Sequence, residues 1–303
     1  LEPLFIILHR KQLSTGCMNP GRTIFPTAAY FIAAIFFISS CGSAKISVMS
    51  FNVRQSHVRE DSGNSWNERK NACVKMVRDN CPDLLGLQEA WYKDQYGYLL
   101  ENLCDLYDGI AVGRENGKDK GETTGILYRK DAFSLLDSGT FWLSDTPEFP
   151  SASFDEKYER PVTWALFSCK NGVKFFYLNT HLGLTQISRT KGVELILGLR
   201  GMKNDENRPV ILSGDFNMST EDSAYRMLSD AMSDARFSAL KNSGDSIPTY
   251  NAWGNKDKES IIDYVMVSDK IICLSYDVVQ TPYDGHELIS DHYPVLVELK
   301  IKK

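Results

Sequence analysis

Positive charge is scarce in this 303-residue sequence: 34 lysines and arginines stand against 39 aspartates and glutamates, a formal net charge of −5. Proteins that track long nucleic acids neutralise many phosphates with clustered cations, so the balance argues against a broad polyanion footprint. Cysteines are few: the seven, at 17, 41, 73, 81, 104, 169 and 273, lack the paired short spacings of a zinc site and are too sparse for a disulfide scaffold. Buried free thiols are the simpler reading, with a Cys73–Cys81 bridge as the alternative. Tandem repeats are absent, and the linker-like stretches 114–122 and 145–159 read as surface loops within one domain. Hydrophobic residues at 43% and charged residues at 24% are those of a globular chain with a packed core.

The long apolar run is Ala28 to Ile38, preceded by Met18 and Arg22 and followed by Ser39, Ser40, Cys41 and Gly42. That order matches a bacterial export signal, and the run is shorter than the roughly 20 residues of a comfortable membrane span. The small residues before Cys41 resemble a lipobox, in which the cysteine becomes the lipidated first residue of an exported, membrane-anchored protein. An uncleaved anchor helix and an ordinary secretory signal remain the alternatives. The expected division is therefore an amino-terminal segment, 1–41, and a single catalytic domain, 45–303, expected to be monomeric.

Short runs that are apolar at nearly every position predict strands covered on both faces: 46–51, 84–87, 125–128, 175–178, 210–212, 261–267 and 295–299. Helical periodicity predicts helices at 66–78, 91–104, 188–202 and 221–228. The alternation implies an α/β layered sandwich.

Carboxylates, carboxamides and imidazoles collect where these strands begin or end: Asn52, Glu89, Asn179, His181, Asp215, Asn217, Asp263, Asp291 and His292. Each has a bland explanation alone. Asn52 closes a turn, Glu89 favours the amino end of a following helix, and a lone histidine before a strand is usually solvent-facing or satisfied. Asp263 is harder to dismiss, because an unpaired charge within a buried strand is costly. Strand ends in layered α/β folds converge on crevices where ligands bind.

The ordered segments Ser50-Phe51-Asn52-Val53-Arg54, Gln88-Glu89, Asn179-Thr180-His181-Leu182, Gly214-Asp215-Phe216-Asn217, Ile262-Asp263-Tyr264 and Ser290-Asp291-His292 resemble the endonuclease/exonuclease/phosphatase superfamily. That superfamily includes deoxyribonuclease I, abasic-site endonucleases, neutral sphingomyelinases, inositol-polyphosphate phosphatases and poly(A)-removing exonucleases. The resemblance runs from Lys45 to the carboxy terminus. It implies a four-layer α/β/β/α sandwich, with two central mixed sheets flanked by helices and the site at one rim.

By the same resemblance the reaction is in-line attack of water on phosphorus with a divalent cation and no covalent intermediate. Asn52, Glu89 and Asp291 are the implied ligands, and hard oxygen donors suit Mg²⁺ or Mn²⁺. His292 is the implied base and Asp263 orients it. Asp215 and Asn217 position water and the phosphoryl group, while His181 binds or protonates at the scissile phosphate. Asn179 and Arg160 are expected on the substrate side, with a surface ion pair to Glu156 or Glu159 as the alternative for Arg160. Asn64, Trp66 and Arg69 also look like subfamily residues, but Trp66 opening a helix onto the core is the simpler account, so they stay outside the expected site.

Substrate choice lives in loops. A nuclease- or exonuclease-like activity is the leading expectation, and a nucleotide, a phospholipid or sphingomyelin head group or a sugar phosphate are alternatives. A non-catalytic lipid-anchored binding module is the competing class, disfavoured because no core position departs from the pattern.

Overall fold

The computed structural model describes residues 42–302 except 59, 60, 62 and 205, and in the helix ending at Lys203 the side chains of 199–203 are left aside. The segment expected to direct export, and Cys41, lie outside the described residues. Among the described residues, no helix is long and apolar enough to cross a membrane.

The main strands are β1 (Ala44–Asn52), β2 (Leu84–Gln88), β3 (Tyr107–Ile110), β4 (Ile126–Arg129), β5 (Phe133–Trp142), β6 (Pro161–Cys169), β7 (Lys174–His181), β8 (Val210–Asp215), β9 (Asp263–Val267), β10 (Ile271–Val278) and β11 (Val295–Ile301). The principal helices are α1 (Trp66–Asn80), α2 (Gly97–Leu103), α3 (Gln186–Lys203) and α4 (Ser223–Ala231). One sheet of seven strands runs β10-β11-β1-β2-β4-β3, with the short strand Lys241–Asn242 beyond β10. The other, of six, runs β9-β8-β7-β6-β5, with Ser233–Asp234 beyond β9. Both are mixed, β1 pairing in parallel with β2 and β7 with β8.

Strand alternation explains why these runs are apolar throughout. Ile46 and Val48 of β1 join Phe175 and Tyr177 of β7, and Ile211 of β8, in a core between the sheets. Their neighbours Met49 and Phe51 face outward onto Ala72, Met76 and Val77 of α1. Phe176, Leu178 and Leu212 face the opposite way, onto Val193 and Ile196 of α3 and Leu228 of α4. The order of layers is thus helix, sheet, sheet, helix, as expected. At Gly86 the facing sheet leaves no room for a side chain: a Cβ there would lie 2.5 Å from Asn179 Oδ1 and 2.6 Å from the Tyr177 hydroxyl.

Four of these strands, β3, β5, β6 and β10, lie outside the sequence expectation, and β3 is only four residues long and carries Asp108 and Gly109. β5 and β10 each carry an irregularity, between Leu135 and Asp137 and between Cys273 and Ser275, which breaks the period-2 signal. β6 opens on Pro161, whose missing N–H costs nothing at a first strand residue. The expected helix 91–104 is a strand pairing at Ala90–Trp91, a π-helical turn over Tyr92–Tyr96 and then α2. Cys73 and Cys81 are both free, so the alternative bridge is not formed.

Candidate active site

Strand direction puts the polar ends on one rim. The carboxy ends of parallel β1 and β2 bring Asn52 beside Gln88, and those of β7 and β8 bring His181 beside Asp215. β9 is antiparallel to β8, so its first residue, Asp263, meets Asp215. β11 is antiparallel to β1, which sets Asp291 and His292, just ahead of it, at the same rim. They border a polar cleft of about 1030 Å³, lined by Glu89, His181, Asp215, Asn217, Asp291 and His292 on one side and by Arg114, Tyr158 and Arg160 on the other.

His292 Nδ1 lies 2.9 Å from Asp263 Oδ2, and both residues are buried. An ionised carboxylate only accepts, so Nδ1 carries the proton and Nε2 is left facing Asp215 Oδ2 at 3.7 Å. Thr249 Oγ1 fixes the start of β9 by accepting from the backbone N–H groups of Ile262 and Asp263. Burial alone would lower the His292 pKa, but Asp263, Asp215 and Asp291 outweigh it and raise the imidazole well above its ordinary value, so the ring is charged until a divalent cation beside those carboxylates offsets their field and frees Nε2 to accept a proton. His181 behaves oppositely. Its Nε2 lies 3.5 Å from Asp215 Oδ2, yet burial, reinforced by Arg160 and Arg114, drives its pKa well below the usual value and keeps the ring neutral.

Asn52 stands between two carboxylates. Its Nδ2 donates to Glu89 Oε1 and to Asp215 Oδ2, both at 3.0 Å, while its Oδ1 accepts the backbone N–H of Arg54 at 2.9 Å. A cation ligand would have to present that oxygen. In this arrangement Asn52 orients Glu89 and Asp215, and the second lone pair of Oδ1 is what it would offer a cation. Among the described residues, ligating atoms of Glu89, His181 and Asp215 come within 4.8 Å of one another, and so do those of Asp215, Asp263 and His292. Asp291 sits alongside with its Oδ2 3.4 Å from Arg54 Nη1. Arg54, Glu89 and Asn217 all hold left-handed backbone, with φ of 55°, 59° and 49°, a cost on the order of 1 kcal/mol or more each that clusters at this rim.

Burial raises the carboxyls of both Asp215 and Asp291 above their ordinary range, since too little positive charge reaches them. Oxygen donors at one rim, short of counter-charge, fit a divalent cation. Glu89 and Asp291, with Asp215, are the residues that would hold it.

Asn179, expected on the substrate side, is placed elsewhere. It is fully buried, accepts from Gln88 Nε2 and Ser213 Oγ, and donates to the carbonyls of Leu87 and Gly125. With its amide so engaged it fastens one sheet to the other behind the cleft. Asn217 lines the cleft, its Nδ2 donating to the Leu182 carbonyl and its N–H to Asp215 Oδ1. Arg160 also lines the cleft. Its Nε lies 3.8 Å from Glu156 Oε2, a long contact between buried groups rather than a surface pair, and among the described residues that Nε has no hydrogen-bond partner.

Arg114 and Glu122 were not foreseen. They form a 2.7 Å ion pair beside Arg160, and the Arg114 guanidinium lies 4.9 Å from the Tyr158 ring. Both belong to the stretch expected to be a surface loop, which holds no periodic signal to mark its burial. Arg54 stood within the first motif without a role, and the structure connects it to Asp61 and Asp291.

Residues 49–292 match the Endonuclease/Exonuclease/phosphatase family. A structure of a member from Bacteroides thetaiotaomicron is 30% identical, with a TM-score of 0.79 over 86% of this chain and 100% of that one. The mannosyl-6-phosphatase Bt3783 of the same organism is 32% identical, with a TM-score of 0.76 over 84% of this chain and 99% of that one. An uncharacterised protein of Acanthamoeba polyphaga mimivirus is 24% identical over 82% of this chain and 98% of its own length. The chain belongs to the Endonuclease/Exonuclease/phosphatase family, has its deoxyribonuclease I-like fold, and is an enzyme that hydrolyses phosphoester bonds.

Proposed function

We propose that this enzyme uses Mg²⁺ or Mn²⁺ to hydrolyse a small phosphomonoester, with His292 as the base that takes the proton from the attacking water. The observation that carries the reading is the buried His292–Asp263 pair opening onto the cleft beside Asp215. Asp263 fixes the ring so that Nε2 faces the reacting side, and Asp215 with Asn217 orients the water and the phosphoryl group. Neutral His181 and the Arg160 guanidinium hydrogen-bond the phosphoryl oxygens, a planar fork being suited to them. The cation, when bound, offsets charge on the phosphoryl oxygens.

Charge pairing supports a small substrate. Arg54 and Lys120 of the cleft are already matched by Asp61 and Glu115, at 2.8 and 2.7 Å. Cations so neutralised leave little to track a polyanion. The 32% identity to a mannosyl-6-phosphatase points the same way, toward a sugar phosphate. The second reading is the nuclease- or exonuclease-like activity expected from the motifs, favoured by the size of the cleft, about 1030 Å³.

A panel of p-nitrophenyl phosphate, bis-p-nitrophenyl phosphate, hexose 6-phosphates and single-stranded RNA and DNA, with Mn²⁺ and with EDTA, separates these. Turnover confined to diesters or nucleic acid would overturn the monoester assignment. We also propose export with Cys41 as a lipidated first residue, and mass spectrometry showing a mature protein without lipid there would contradict it.

A further inference from the structure

Arg69 has no place in the chemistry above, yet it is only 1% exposed. Among the described residues no carboxylate lies within 4.0 Å of its guanidinium, so its charge is held by backbone carbonyls. Nε donates to Asn64 at 2.9 Å, Nη1 to Val53 and, at 3.0 Å, to Ile289, and Nη2 to Arg54 at 2.6 Å. Its charged head lies 5.3 Å from the Trp66 ring and 5.6 Å from the Trp253 ring. Burying a cation in this way is expensive unless each donor is satisfied.

Three of the four carbonyls belong to the segments that present the rim, and the fourth, of Asn64, lies just ahead of α1. Val53 and Arg54 directly follow Asn52, and Ile289 stands two residues before Asp291. The same two segments are also joined by Ser290 Oγ, which donates to the Asn52 carbonyl at 2.7 Å. Trp253 comes from a third segment, with left-handed backbone at Ala252 and itself, whose Ala252 N–H donates to the Asp291 carbonyl at 3.1 Å. A fork with five donors can meet four carbonyls converging from three directions, which a lysine ammonium with three donors cannot.

We propose that Arg69 is a positioning residue, which sets the spacing between the Asn52–Arg54 and Ile289–Asp291 segments and thereby the affinity of the rim for its divalent cation. The inference rests on the cation site assigned above. Outer groups that fix ligands typically govern metal affinity by about 10–100-fold.

The test is calorimetric titration of the full chain with Mn²⁺, for wild type, Arg69→Lys and Leu99→Ala, alongside melting temperatures. Leu99 is a core residue of α2, away from the rim, and controls for loss of stability. Arg69→Lys is expected to bind Mn²⁺ about tenfold more weakly, with KM for p-nitrophenyl phosphate at saturating Mn²⁺ within about twofold, while Leu99→Ala melts earlier but binds Mn²⁺ as wild type does. A folded Arg69→Lys with wild-type Mn²⁺ affinity would overturn the positioning role. If that variant does not fold, Trp253→Leu, which leaves the guanidinium in place but removes one ring against it, decides: weakened Mn²⁺ binding supports the proposal and unchanged binding overturns it. Absence of Mn²⁺ binding by the wild type would instead sink the cation site itself, and the proposal with it.

Discussion

Replacing Asp263 by asparagine removes one negative charge and almost no volume. The backbone N–H of residue 263 keeps its bond to Thr249, and its ladder pairing with Asp215 is untouched, so the fold should hold. What changes is His292, whose Nδ1 now faces an uncharged amide at the site of a 2.9 Å charge-assisted contact. The ring can then turn or take the wrong tautomer, so that Nε2 no longer offers its lone pair to water. General-base catalysis contributes about 10²–10⁴-fold, which at about 1.4 kcal/mol per decade is roughly 3–5 kcal/mol of barrier. We therefore expect kcat for p-nitrophenyl phosphate to fall by about 10²–10⁴ with KM within about threefold. A second readout is the acid limb of the pH profile. Burial lowers the His292 pKa and Asp263 is foremost among the groups that raise it, so without Asp263 the limb should move to lower pH. A kcat within about threefold of wild type, with the limb unmoved, would refute the base assignment.

Glu122 gives a stability test. Burial pushes its carboxyl up to about 7 in spite of Arg114, so the proton is held more tightly in the folded state. The stability this contributes is complete below the unfolded value near 4.5 and is lost as pH rises through about 7, on the order of 3 kcal/mol. Glu122→Gln should flatten that loss between pH 5 and 8 in urea midpoints measured with chelator; an unchanged slope would count against it. Asn179→Leu removes one hydrogen-bond partner each from the Leu87 and Gly125 carbonyls, the Gln88 amide and the Ser213 hydroxyl, the last three of which keep another, and should cost about 3 kcal/mol, a fall in Tm of about 10 °C, with KM unaltered. A raised KM without loss of Tm would restore Asn179 to the substrate side. Arg160→Met should lower kcat/KM by about 10–100-fold through the lost guanidinium contact with phosphate, and an unchanged value would leave Arg160 with a packing role.

The layers were legible because doubly covered strands leave a continuous apolar run, as in Val210–Leu212, and because polar residues at their ends cannot join the core. The rim was legible for a related reason: parallel pairing of β1 with β2 and of β7 with β8 aligns ends that are far apart in sequence. β5 and β10 were hidden by their irregular ladders, and β5 also by a face of exposed residues. The direction of the Asn52 amide was not readable, since it follows from the left-handed turn at Arg54 that brings a backbone N–H onto Oδ1. Asn179 carried the same kind of side chain at the same kind of strand end, but Gly86 lets the other sheet close over it. Arg114 and Glu122 gave no signal because their burial depends on the neighbouring Arg160 segment rather than on local periodicity.

The measurement that bears most directly on the account is single-turnover hydrolysis of p-nitrophenyl phosphate by wild type and His292→Ala, each with Mn²⁺ and with EDTA. Cation-dependent turnover in the wild type, lost on chelation and reduced by about 10²–10⁴ in the variant at saturating Mn²⁺, is the predicted result. Turnover that survives EDTA, or a variant as fast as the wild type, would contradict it.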